Sequence, residues 1–279
     1  TEIRLPRAVL AVMVGGALGL SGAALQGYLR NPLAEPGLVG ASSMAALGAV
    51  IALYTGLAGA PPWTLPAGGM LGALVGVSIV HLLAGSSASP TVLILAGVAV
   101  NSLAGALTSL ALSLAPSPFA MQEIVFWLLG SLADRSFDHV LLALPFMVIG
   151  GLLLAGTARG LEALTLGSDA ARSLGISLDR LQIQVALGTA LAVGAAVAVS
   201  GVVGFIGLVV PHLLRPLVGW RPAVLLPVST LGGAALTLAA DIAARVLSTS
   251  AELNLGVVTA MVGAPFFIYL LVSTRRRVA

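Results

Sequence analysis

Residues 183–210 read IQVALGTALAVGAAVAVSGVVGFIGLVV, 28 residues with no charge and almost no polarity. As one α-helix the run would measure ~42 Å at 1.5 Å per residue, more than the ~30 Å hydrocarbon core of a bilayer requires. Gly201, Gly204 and Gly207 supply a break, so the stretch predicts two membrane spans, near 181–200 and 205–219.

The rest of the chain fits that reading. It has 279 residues, 58% of them hydrophobic and 8% charged, with a mean hydropathy of +1.09, well outside the range of a soluble globular domain. Apolar runs bounded by polar, Pro or Gly residues predict further spans near 8–29, 41–58, 65–84, 91–114, 139–158, 223–247 and 256–273. MQEIVFWLLG, 121–130, is apolar but too short to cross, which suits an interfacial or re-entrant helix. The expectation is an all-α polytopic bundle of about nine spans in one domain, 1–279. Gly68, Gly72 and Gly76, in helical register, permit close helix packing.

All 13 basic residues are Arg, so the chain lacks the phosphate-cradling Lys of a P-loop and any Schiff-base chemistry. With zero Cys and with His81, His139 and His212 scattered, no disulfide, thiolate zinc site or cofactor is expected. The pI of about 10.2 comes from charges spread between apolar runs, the pattern of topology signals and not of nucleic-acid binding. An odd number of spans puts the termini on opposite sides, and TRRR at 274–277 assigns the C-terminus to the cytoplasm. Arg30, Arg159, Arg172, Arg180, Arg215, Arg221, Arg275, Arg276 and Arg277 then lie inside, against Arg4, Arg7, Arg135 and Arg245 outside, in agreement with the positive-inside rule. The opening TEIRLPRAV has neither an initiator Met nor the charged-then-apolar order of a signal peptide.

Two polar interruptions carry the functional reading. RNPLAEPGLVG, Arg30 to Gly40, holds Pro32 and Pro36, which force the chain out of helix at the inner end of a span. ARGLEALTLGSDAARSLGISLDR, 158–180, is too long for a plain turn. Its Ser168–Leu174 predicts about two helical turns with Ser168 as N-cap and Asp169 in the first turn, ending at Gly175.

EIRLPR at 2–7, RNPLAEPGLVG at 30–40, LGSDAARSLGI at 166–176, GFIGLVVPHLLR from 204 and AELNLGVVTAMVGAPFFIYLL to 271 together resemble the FecCD family. These are permease subunits of binding-protein-dependent ABC importers for iron–siderophore complexes, haem and vitamin B12. The resemblance runs end to end and implies a homodimer of ten-helix subunits in the bacterial inner membrane, in contact with lipid. It also implies two cytoplasmic ATPase subunits and a periplasmic binding protein. The family's first helix precedes EIRLPR and is missing here, which suggests a truncated or incompletely represented chain.

Residue by residue, the match implies that Asn31 and Leu33 are cytoplasmic gate residues. Pro90 and Thr91 would form the facing half, where GSSASP departs from the basic and Ser/Thr residues common in relatives. Asp169, Ala171, Arg172 and Gly175 would dock the ATPase, with Ala170 and Ala171 small enough for close approach. Arg4, Arg7 and Arg245 would dock the binding protein. A second reading is an ion-coupled secondary transporter, which places carboxylates or His near the midplane. Glu123 and Glu252 lie near predicted loops, and Asp241 alone falls within a predicted span, where Arg245 at i,i+4 gives it a salt-bridge partner. No cluster of nucleophile, base and metal ligands supports an enzyme.

Overall fold

The computed structural model describes residues 4–55, 63–85, 89–247 and 253–278. Glu2 and Ile3 of the first motif, Ser86 to Ala88 of GSSASP, and Glu252 lie outside the described residues.

All regular structure among the described residues is helical. Six helical stretches are long and apolar enough to cross a membrane: Arg4–Tyr28, Thr64–Ala84, Pro90–Ser113, Phe137–Leu164, Leu178–Ser200 and Pro222–Leu247. Three shorter apolar helices, Ala41–Tyr54, Ile206–Val218 and Leu255–Leu270, lie in the other three predicted runs. In chain order the α-helices are α1 (Arg4–Tyr28), α2 (Ala41–Tyr54), α3 (Thr64–Ala84), α4 (Pro90–Ser113), α5 (Pro118–Leu128), α6 (Phe137–Ala155), α7 (Ala158–Leu164), α8 (Ser168–Ser173), α9 (Leu178–Ser200), α10 (Ile206–Leu214), α11 (Pro222–Leu247) and α12 (Leu255–Val278). The interfacial expectation at 121–130 corresponds to α5, eleven residues capped by Ser117.

α1 and α9 form the centre, with most of their side chains buried. α1 packs against α6, α9, α10 and α11, and α9 against α2, α3 and α6. Hydrophobic area does not drive helices together in lipid, so close backbone approach must contribute. A Cβ added at Gly15 would collide with the Gly233 carbonyl, and one at Gly22 with the Gly207 carbonyl. α1 therefore lies almost backbone to backbone on α11 and on the start of α10.

The break in the opening stretch falls where the glycines put it. α9 ends at Ser200, and Gly201 continues at φ 68°. α10 starts at Ile206 after Phe205, which holds φ 67°. Between them the chain runs without helix. The second interruption, 29–40, faces this one across a shared cavity, so the bundle carries two facing segments of irregular backbone.

Candidate functional site: a proline turn, a short polar helix and an arginine-bridged end

α1 stops in a Schellman arrangement: Asn31 N–H donates to Gln26 O at 3.2 Å and Arg30 N–H to Gly27 O at 3.4 Å. Arg30 takes the left-handed position at φ 47°, a place usually given to Gly. Asn31 then organises the turn. Its Oδ1 accepts from Leu33 N–H at 3.0 Å and its carbonyl from Ala34 N–H at 3.1 Å. Pro36 opens a short 3₁₀ turn, Pro36–Val39, so both prolines sit where the missing N–H is not needed.

Beyond Ala34 the segment climbs back into the bundle. Gly37 O accepts from Asn101 Nδ2, and Asn101 also bonds Ser43 Oγ. Irregular backbone at membrane depth is tolerated only where its polar groups find partners or line a cavity, and Asn101 supplies one such partner.

The facing segment begins at Ser89, whose Oγ accepts from Val92 N–H at 3.4 Å as N-cap of α4. Pro90 occupies the first helical position and Thr91, exposed, the second. The expected coupling segment forms α8, with one correction. Its N-cap is Gly167 at φ 103°, not Ser168, which is already helical and makes no capping bond. The tight entry requires a backbone that only glycine reaches easily. Gly175, at φ 83°, ends the element as expected.

Asp169, Arg172 and Gly175 are exposed. Arg172 Nη1 pairs with Asp169 Oδ1 at 3.2 Å along the helix. Ala171 differs from the expectation: it is fully buried, so its small size seats α8 against its own bundle. Tyr28, Arg30, Ser89, Pro90, Ser168 and Arg172 line a single cavity of about 310 Å³. The structure thus brings the beginnings of both expected gate segments and the expected coupling helix to one end of the bundle, hereafter the basic end.

One buried side chain ties three helices together there. Gln182, 2% exposed, accepts from Tyr28 Oη at 3.2 Å. Its Nε2 lies 3.2 Å from His81 Nδ1 and 3.5 Å from Gly85 O. A carbonyl can only accept, so the amide nitrogen faces it and His81 Nδ1 accepts too, which assigns the tautomer from the network. Tyr28 precedes the 29–34 turn, Gly85 precedes the Ser89 cap of α4, and Gln182 follows α8 in the chain. Sequence reasoning missed this network because its members are separated by 101 and 154 positions.

At the opposite end, Arg7 Nε lies 2.8 Å from Asp241 Oδ1 and Arg245 Nε 3.3 Å from Asp241 Oδ2. Asp241 is fully buried. The expected i,i+4 pair is present, and Arg7 joins it from α1. Arg7 is only 12% exposed in its side chain against 35% for Arg245, and Arg4 is exposed. Burial thus leaves Arg4 and part of Arg245 as the accessible charges of the expected docking trio.

No metal-holding group of His, Asp and Glu occurs among the described residues. His139 serves a capping box at Ser136, accepting from its N–H at 3.3 Å.

The model of the FecCD transport family matches residues 1–273. The cobalamin import system permease protein BtuC of Halobacterium salinarum is 41% identical over 96% of this chain and 72% of its own length. The hemin transport system permease protein HmuU of Yersinia pestis is 41% identical over 99% of this chain and 84% of its own. A solved structure described as an inward-facing conformation of a metal-chelate type ABC transporter superposes with a TM-score of 0.90 and 34% identity. It covers 98% of this chain and 86% of that one.

Proposed function

The chain belongs to the FecCD transport family, and on that premise we propose that it is the permease subunit of an ATP-driven importer in the bacterial inner membrane. Two copies form the path, two separate ATPase subunits power it, and a binding protein delivers an iron chelate, haem or cobalamin. The basic end faces the cytoplasm. The names of the relatives support that cargo range, and the similarity to an ABC transporter structure supports the energy source.

The observation that carries the mechanism is the shared cavity at the basic end, where Arg30, Pro90 and Arg172 meet. A displacement of α8 by an ATPase is transmitted across that cavity to both gate segments. Asn31 and Leu33 with Pro90 and Thr91 close the path at the dimer axis, Asp169, Arg172 and Gly175 contact the ATPase, and Arg4 and Arg245 meet the binding protein. Charges at that rim set orientation and encounter rate more than affinity.

The reading is tested by co-reconstituting the chain with its ATPase and binding protein in liposomes. Uptake that requires ATP and all three components is the expected result. ATP hydrolysis by the chain alone, or uptake driven by an ion gradient without ATPase, sinks it.

A further inference from the structure

The carboxylate of Glu35 faces the cavity between the two irregular segments. That cavity, of about 310 Å³, is walled by Glu35, Gly37, Ser42, Ser43, Val203 and Phe205, among others. Its depth follows from helix geometry. Leu18 on its wall is ten residues from the end of α1 at Tyr28, and Asn101, bonded to Gly37, is eleven residues into α4 from Pro90. At 1.5 Å per residue both counts place it roughly 15 Å from the basic end, near the middle of a ~30 Å core.

A half-buried carboxylate at that depth is costly unless something holds its charge. Phe205 N–H donates to it, and Phe205 is the N-cap of α10, a nine-residue helix, whose positive end favours an anion. Burial weighs against the charge of Glu35, the Phe205 N–H and the helix end support it, and beside them the cavity is open: nothing lies within 4 Å of a Cβ built at Gly204. The bulky Phe205 is kept at φ 67°, a strained conformation of the kind that collects at ligand clamps. Ser42 and Ser43 add hydroxyls, and unwound backbone facing a cavity at mid-membrane is how transporters build substrate contacts.

We propose that the Glu35 cavity is a cargo-contact site on the translocation path, selective for neutral or cationic ligands that present N–H donors and against polyanionic chelates. This rests on the importer reading and narrows its cargo. A corrinoid, with primary amides around its periphery, offers donors to the carboxylate; a ferric hydroxycarboxylate, net anionic, is repelled by it.

The Cys-free chain allows a direct test. Ser42→Cys is introduced in the intact importer, and its modification is timed with a cationic and an anionic methanethiosulfonate of similar size. Relative to the same pair's ratio on a free thiol in solution, the expected ratio favours the cation by on the order of tenfold or more, and it collapses towards the solution value in Glu35→Gln, whose amide oxygen still accepts from Phe205 N–H. Cyanocobalamin is expected to slow the reaction and ferric dicitrate to leave it unchanged.

A thiol unreactive in every nucleotide state, or a ratio unaltered by Glu35→Gln, overturns the site. Protection by ferric dicitrate alone, or by neither compound, overturns the cargo class. ATP-dependent uptake is measured in the same vesicles, so failure of the importer reading registers separately, as absent uptake in the unsubstituted protein.

Discussion

Arg7 Nε and Asp241 Oδ1 lie 2.8 Å apart and join positions separated by 234 residues. The bond fastens α1 to α11 at the end away from the 29–34 turn, and the carboxylate it holds is fully buried. Removing a partner from a buried ion pair leaves an uncompensated charge, at a cost of about 3 kcal/mol or more. Arg7→Ala and Asp241→Asn should therefore each lower the thermal unfolding midpoint strongly. Arg245→Ala, more exposed and 3.3 Å away, should cost about 1 kcal/mol or less. Equal losses for the two arginines would show that Arg7 is not the principal partner.

Replacing Gln182 with Leu removes the bonds to Tyr28 and His81 and strands polar atoms in a buried place, a cost of about 1–3 kcal/mol. The effect should be local. Hydrogen exchange is expected to speed up around 27–34 and 81–85 while α11 keeps its protection; a uniform change across the bundle would contradict a three-helix tie.

Backbone packing predicts opposite outcomes for two glycines. Gly22→Ala forces a methyl into the Gly207 carbonyl, whereas the same change at Gly105 meets nothing within 4 Å. Gly22→Ala should reduce the yield of folded, monodisperse protein severely. Gly105→Ala should be neutral or stabilising by up to about 1 kcal/mol through helix propensity. Comparable behaviour of the two would argue against close α1–α10 contact.

Reversing the charge at Arg172 should separate hydrolysis from transport. Arg172 is exposed and, among the described residues, pairs along its own helix, so Arg172→Glu leaves the fold intact and is expected to lower cargo moved per ATP several-fold. An unchanged ratio would remove α8 from the coupling path.

These comparisons also show which features the sequence displays. The span boundaries were legible because each apolar run ends in Gly, Pro or charge, and the glycines at 201, 204 and 207 marked the interruption that α9 and α10 show. The Asp241–Arg245 pair was legible as an i,i+4 spacing. Arg7 was not recognisable as its companion, because spacing along one helix says nothing of a partner on another. Ala171 looked suited to a partner's surface, yet smallness is equally what a buried contact needs, and only the packing decides. Glu35 went unnoticed inside a proline-rich turn because its significance comes from depth, and depth appears only when Gly37 is seen beside Asn101.

The central claim, that ATP binding on partner subunits works a gate built on Asn31 and Leu33, is tested most directly by a cysteine at position 33 in this Cys-free chain. In the reconstituted importer, Leu33→Cys should crosslink to its copy across the dimer axis in one nucleotide state and lose most of that yield in the other. Crosslinking absent in every state, or identical with and without ATP, would contradict the account.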